Sequence, residues 1–186
     1  MDSLPVMLVF VLLLSGFLLG MAVSYIKTGV PTISSAAAAH AQISTVLRGA
    51  GVSKIYELGA GKGNLAFALA AQIPGAHVEA YELSLLPYLY AQLWKRVHPA
   101  GDRVTFHLAN FNKIDLSSAD AVVFYLMPRV IAQLEPKLIR ELKSGSYVAT
   151  ISFAMKNWKP MHKLIADNFG KTRSLVYRMP PEKAHV

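Results

Sequence analysis

The sequence predicts an α/β fold: a mostly parallel sheet wrapped by helices, closed by an antiparallel C-terminal hairpin and preceded by one N-terminal transmembrane helix. Three observations carry this. Strand-like and helix-like patterns alternate from Ile55 to Phe153, a rhythm that demands crossover connections and therefore parallel strands. A glycine-rich turn, Gly59-Ala60-Gly61-Lys62-Gly63, joins the first strand of that run to its first helix. No charged residue stands between Ser3 and Ile26.

The uncharged stretch comes first. Leu4–Ile26, LPVMLVFVLLLSGFLLGMAVSYI, holds 23 residues, enough for a helix of about 35 Å at roughly 1.5 Å per residue. A secretory signal would carry a basic residue ahead of its apolar run; here Asp2 precedes it and Lys27 is the first cation. The expectation is an uncleaved anchor, residues 1–26, and a second domain, residues 27–186. Lys27, Arg48 and Lys54 follow the span, so the positive-inside rule places the C-terminal domain on the cytoplasmic side. Gly16 and Gly20 form a small-residue face on which two such helices can pair into a homodimer.

The remaining elements follow in order. Lys27–Ser35 is a linker with turn residues. Ser34 or Ser35 caps a helix through the alanine run 36–39, which ends near Gly49 or Gly51. Ile55–Leu58 is a strand and Asn64–Gln72 a helix, stopped by Pro74-Gly75. His77–Tyr81 is a second strand, Leu85–Val97 a helix, Val104–Leu108 a third strand and Ala121–Leu126 a fourth. Ile131, Leu134, Leu138 and Leu142 form one stripe of a helix over Arg129–Leu142. Gly145–Phe153 holds a fifth strand, and Leu175–Tyr177 a sixth that can pair with Lys163–Ala166 as a hairpin.

Composition removes several chemistries. There is no cysteine, hence no disulfide, thiolate zinc site or cysteine nucleophile. The six histidines show no metal-ligand spacing, so no metal is expected. The net charge of +8 favours anionic partners. Aromatic residues do not interleave with the basic ones as nucleic-acid binding requires. The span supplies another reason for the charge, since anionic headgroups of a lipid bilayer attract basic surfaces.

Which ligand do the glycines serve? A P-loop needs a glycine five residues before Gly-Lys and a hydroxyl after it; Tyr56 and Gly63 stand there instead. A dinucleotide site wants G-x-G-x-x-G/A, and Asn64 occupies the third position. Glu57, two residues before the first glycine, would repel a pyrophosphate but suits a cationic amine. S-adenosylmethionine carries an ammonium, a sulfonium and no phosphate. Glu82, at the end of the second strand, is placed to accept hydrogen bonds from ribose hydroxyls, and Asn110, after the third, to bond the adenine edge. Tyr125 and the backbone at Leu126–Met127 are placed to line a methyl-acceptor channel, and Trp158 to cap it; both rings serve equally as plain packing.

ELGAGKG followed by YELS resembles motifs I and II of the class I S-adenosylmethionine-dependent methyltransferases, which have a Rossmann-like sheet. With VPT at Val30–Thr32, Val122–Phe153 and NWKP at Asn157–Pro160, the chain is similar over about residues 28–180 to the lysine methyltransferases of the ATP synthase c subunit and the adenine nucleotide translocase, with their prokaryotic relatives. The resemblance implies S-adenosyl-L-methionine as cofactor, held by Thr32, Glu57, Gly59, Gly61, Gly63, Glu82 and Asn110, and a lysine of a membrane protein as substrate. That family often has Asp where Glu57 stands and near Lys62, and an acid where Asn110 stands. FYLMP at the fourth strand replaces the Asn/Asp-Pro-Pro-aromatic of nucleic-acid amino methyltransferases, which argues against base methylation. The alternatives are a methyltransferase of a small molecule or lipid headgroup, and a membrane adaptor that keeps the fold without turnover.

Overall fold

A computed structural model describes residues 7–16, 20, 37–165 and 172–180. The chain forms two units, Met1–Pro31 and Thr32–Val186. In the first, residues 7–16 are helical (α1), and the large apolar side chains from Met7 to Leu14 are exposed. Among the described residues no helix is long and apolar enough to cross a membrane; the span expected over Leu4–Ile26 reaches beyond the described residues, and so does the linker with Thr32. A Cβ placed on Gly16 would meet nothing within 4 Å.

The second unit is a seven-stranded sheet of order β3-β2-β1-β4-β5-β7-β6. Its strands are β1 (Lys54–Leu58), β2 (His77–Glu82), β3 (Val104–Leu108), β4 (Ala121–Phe124), β5 (Tyr147–Ile151), β6 (His162–Ile165) and β7 (Arg173–Arg178). The first five run parallel, and β7 is antiparallel to both β5 and β6. The hairpin thus lies where the sequence placed it, with its second strand inserted beside β5. Chain order reverses between β1 and β4, and the crevice beyond their carboxyl ends is the ligand position of such sheets.

The parallel strands are buried on both faces, so they read as apolar runs rather than alternation. On one face Ile55, Val78, Val104, Val123 and Ala149 pack under α2 (Ala37–Gly49) and α3 (Asn64–Gln72). On the other, Ile131, Leu134 and Leu138 of α5 (Pro128–Glu141) are buried. Strand β4 stops at Phe124 rather than at Leu126. Pro128 opens α5 and holds Met127 at φ −68°, ψ 151°, because the residue before a proline is pushed out of helical and toward extended geometry. Residues 125–127 follow β4 without pairing, because β1 ends at Leu58, opposite Phe124, and turns away at Gly59. Helix α4 spans Leu85–Lys95 and fully buries only Ala91.

Candidate functional site

The turn after β1 is held by β2. The Tyr81 carbonyl accepts both Gly59 N–H at 2.9 Å and Ala60 N–H at 3.0 Å, and Gly63 N–H donates to the Ala60 carbonyl at 2.9 Å. All three glycines have positive φ: 78° at Gly59, 56° at Gly61 and 84° at Gly63, a region that costs a Cβ-bearing residue strain. Two of them also make room for protein. A Cβ on Gly63 would stand 2.5 Å from Phe106 Cζ, and one on Gly59 2.9 Å from Leu126 Cδ2. The sequence offered the glycines as a cradle for a ligand; at these two positions the tight neighbour is the domain's own core. Phe106 was not read as a site residue, and Leu126 was read only for its backbone beside the acceptor channel; the signal for their side chains was their position on or just past the inward side of neighbouring strands.

Two acids stand at the carboxyl ends of the adjacent strands. Glu82 is 7% exposed; its Oε2 accepts Gly61 N–H at 2.7 Å and its Oε1 accepts Ser84 N–H at 2.7 Å. A carboxylate offers about four acceptor directions, so two backbone bonds leave capacity for ribose hydroxyls. Glu57 is 3% exposed. Burial pushes its pKa well above the usual carboxylate value, a hydrogen bond from the Ala66 backbone pulls it down, and the nearby Glu82 pushes it up again. Ala66 lies in the first turn of α3, where free N–H groups and the helix dipole favour an anion. Glu57 Oε2 is nevertheless buried with no hydrogen-bond partner among the described residues. An orphaned buried carboxylate oxygen is costly, and a ligand ammonium would satisfy it.

The other expected residues are spread around this centre. Asn110 follows β3, and its Oδ1 already accepts Asn112 N–H at 2.9 Å in a local turn, which leaves its NH2 group to face a ligand. Tyr125, just past β4, is half-buried and stacks on Phe153 at 6.4 Å between centroids. Trp158 meets the edge of Tyr177 at 6.0 Å and 84°. Its ring contact is thus to the antiparallel part of the sheet. Tyr177 in turn accepts Met155 N–H at 3.0 Å, and Glu135 Oε1 accepts Lys156 N–H at 2.5 Å. These bonds tie down the segment that carries Trp158, and nothing in the local sequence announced them. Thr32 lies outside the described residues. Among the described residues, no three histidine, aspartate or glutamate side chains group as metal ligands.

The family of the ANTKMT methyltransferase domain matches residues 57–162, more than half of the chain. The chain belongs to that family. The ANTKMT methyltransferase match opens on Glu57 and takes in the glycine turn, Glu82, Asn110, Tyr125 and Trp158, while Thr32 precedes it. A protein-lysine N-methyltransferase of Saccharolobus islandicus is 26% identical over 123 residues, 66% of this chain and 76% of that protein. The human lysine N-methyltransferase of the ATP synthase c subunit is 30% identical over 111 residues, 58% of this chain and 46% of its own. The chain thus spans about half the length of this vertebrate relative. Among solved structures, an RNA methyltransferase from Salinibacter ruber in complex with S-adenosyl-L-homocysteine is similar, with a TM-score of 0.66 and 25% identity over 76% of this chain and 92% of that one. The ANTKMT methyltransferase fold and its two acids fit S-adenosylmethionine: the Glu57 oxygen suits the ammonium, and Glu82 suits the ribose.

Proposed function

We propose that this chain transfers a methyl group from S-adenosylmethionine to a lysine side chain of a membrane protein, with its catalytic domain held at the cytoplasmic face of the bilayer by the N-terminal segment. The single observation that carries the cofactor is the buried, partnerless Glu57 Oε2 beside the glycine turn. The lysine rests on the names of the archaeal and vertebrate relatives. The membrane rests on the uncharged run before Lys27 and on the exposed apolar side chains from Met7 to Leu14.

When bound, the cofactor supplies a methyl group already activated by its sulfonium. The protein's share is binding, orientation and exclusion of water. Glu57 holds the ammonium, Glu82 the ribose and Asn110 the adenine edge. Thr32 contributes at the methionine end. The acceptor lysine must arrive neutral, although its ordinary pKa is about 10.4. In this reading the lysine is received beside Tyr125 and Phe153, whose apolar rings would disfavour the ammonium form, with Trp158 as the cap.

The test is mass spectrometry of membrane proteins from cells with and without the enzyme, joined to calorimetry. Loss of a methyl-lysine from a membrane protein, and S-adenosylhomocysteine binding without NAD binding, is the expected result. Losses confined to soluble proteins, nucleic acid, small molecules or lipid headgroups would overturn the substrate. A chain that binds cofactor without any turnover would be the adaptor.

A further inference from the structure

Helix α4 presents its apolar side outward. Pro87, Tyr88, Ala91 and Gln92 recur at helical spacing and are buried or half-buried, on the side that meets β2 and β3. Leu85, Leu86, Leu89, Tyr90, Leu93 and Trp94 are between 42% and 66% exposed. An ordinary surface helix does the reverse, with its large apolar side chains inward. Contiguous patches of this kind mark an interaction surface rather than scatter.

The chemistry around the patch indicates what covers it. From Leu83 to Gly101 there is no aspartate or glutamate, while Lys95 and Arg96 end the helix. Lys62, from the glycine turn, stands over the Tyr90 ring at 5.3 Å. Tyr90 and Trp94 each have an apolar body and a polar edge, the composition favoured where hydrocarbon meets water. A mostly leucine surface, aromatic at its margin, with cations at its own end and from Lys62, matches one medium that is apolar inside and anionic at its boundary. A protein partner would have to supply an apolar groove with carboxylates around it. The same chain carries an uncharged 23-residue stretch, Leu4–Ile26, which the proposed function assigns to a bilayer.

We propose that α4 lies in the headgroup–acyl boundary of an anionic lipid bilayer as a second, interfacial membrane contact. The helix starts at Leu85, three residues after Glu82, and Glu82 Oε1 accepts Ser84 N–H. Seating α4 therefore brings the helix N-terminus, beside the carboxyl end of β2, to the lipid surface. This inference rests on the helix and its charges and stands apart from the methyl-transfer reading.

The chain has two tryptophans, so Trp158→Phe leaves Trp94 as the reporter and Trp94→Phe leaves Trp158. The full chain is reconstituted in vesicles of phosphatidylcholine and phosphatidylglycerol in equal parts, with brominated acyl chains as quencher. Trp94 emission is expected to be quenched several-fold more than Trp158 emission, and less in phosphatidylcholine alone. The double variant Leu89→Glu, Leu93→Glu, at exposed positions, is expected to lose the difference while its circular dichroism and S-adenosylhomocysteine affinity stay unchanged. Equal quenching of the two tryptophans overturns the proposal. So does cross-linking of α4 to residues 1–31 or to a second copy in place of quenching. Failure of wild-type cofactor binding, by contrast, would overturn the methyl-transfer reading and leave this one standing.

Discussion

Glu82 Oε2 accepts the backbone N–H of Gly61 at 2.7 Å, so the acid that ends β2 also fixes the turn that follows β1. The same carboxylate orders the start of α4 through Ser84 N–H. It serves the ligand and the shape of the ligand's cradle together. Glu82→Gln keeps one acceptor oxygen and turns an NH2 group toward the other backbone donor. The expected loss is about 1.5–3 kcal/mol of S-adenosylhomocysteine affinity, with Glu82→Ala losing more. Calorimetry on both variants, with melting curves alongside, measures it.

Glu57 sets a trade between stability and binding. Burial raises its pKa well above the ordinary carboxylate value. Between those two values the unfolded chain has released a proton that the folded chain retains, so stability falls as pH rises through that window. Glu57→Gln should remove this slope and stabilise the ligand-free protein above it. It should also weaken cofactor binding by about 2–5 kcal/mol, since an ammonium would lose its charged partner. Denaturant unfolding across pH and calorimetry at neutral pH read the two halves; an unchanged pH slope would mean that Glu57 does not titrate as its burial dictates.

The glycines separate by what they touch. Gly63→Ala should destabilise the fold by about 1–3 kcal/mol, because its Cβ would meet the Phe106 ring at 2.5 Å and its φ is +84°. Gly59→Ala should cost less, because Leu126 Cδ2 is the end of a side chain that can turn away. Urea unfolding ranks them; a Gly63→Ala protein as stable as wild type would refute the packing role.

Tyr177 holds the segment before Trp158. Tyr177→Phe leaves the buried Met155 N–H without its acceptor, at a cost of about 1–3 kcal/mol. Cofactor affinity should be unchanged, because the hydroxyl lies on the antiparallel side of the sheet. A lower melting temperature with an unchanged calorimetric Kd is the expected pair of results.

Removal of residues 1–26 should lower methylation of membrane proteins by roughly a hundredfold or more, because a shared bilayer raises the effective concentration of substrate. Cofactor affinity should not move. Rates on membranes compared for the full and shortened chains decide it, and equal rates would show that the segment does not tether.

The alternation of strands and helices, the glycine turn, the acids at both strand ends and the hairpin were legible from residues 55–177 alone. Local rules govern them: apolar runs for buried strands, glycine where φ is positive, proline and glycine at helix ends. Glu57 was read from its place before the first glycine, and the fold put it in the one environment where that reading has force, buried against the first turn of α3 with an oxygen left over. The end of β4 was misplaced by two residues because its partner β1 stops at Leu58, opposite Phe124, where the glycine turn begins, and hydropathy does not register where a partner strand ends.

What the sequence could not express is direction. It determined that α4 is a helix, because leucine, tyrosine and glutamine continue one readily. Only the packed sheet decided that Tyr88 and Ala91 face β2 and β3 while Leu89 and Leu93 face outward, since which side of the helix meets the strands is set by the crossover that carries it and not by its own hydropathy. In the same way the sequence determined three glycines and two acids, each by its own local chemistry. Tertiary structure decided that Gly63 yields to Phe106, that Gly61 binds Glu82, and that Trp158 rests on Tyr177, because each pair joins a loop residue to a different strand and meets only when the sheet is assembled.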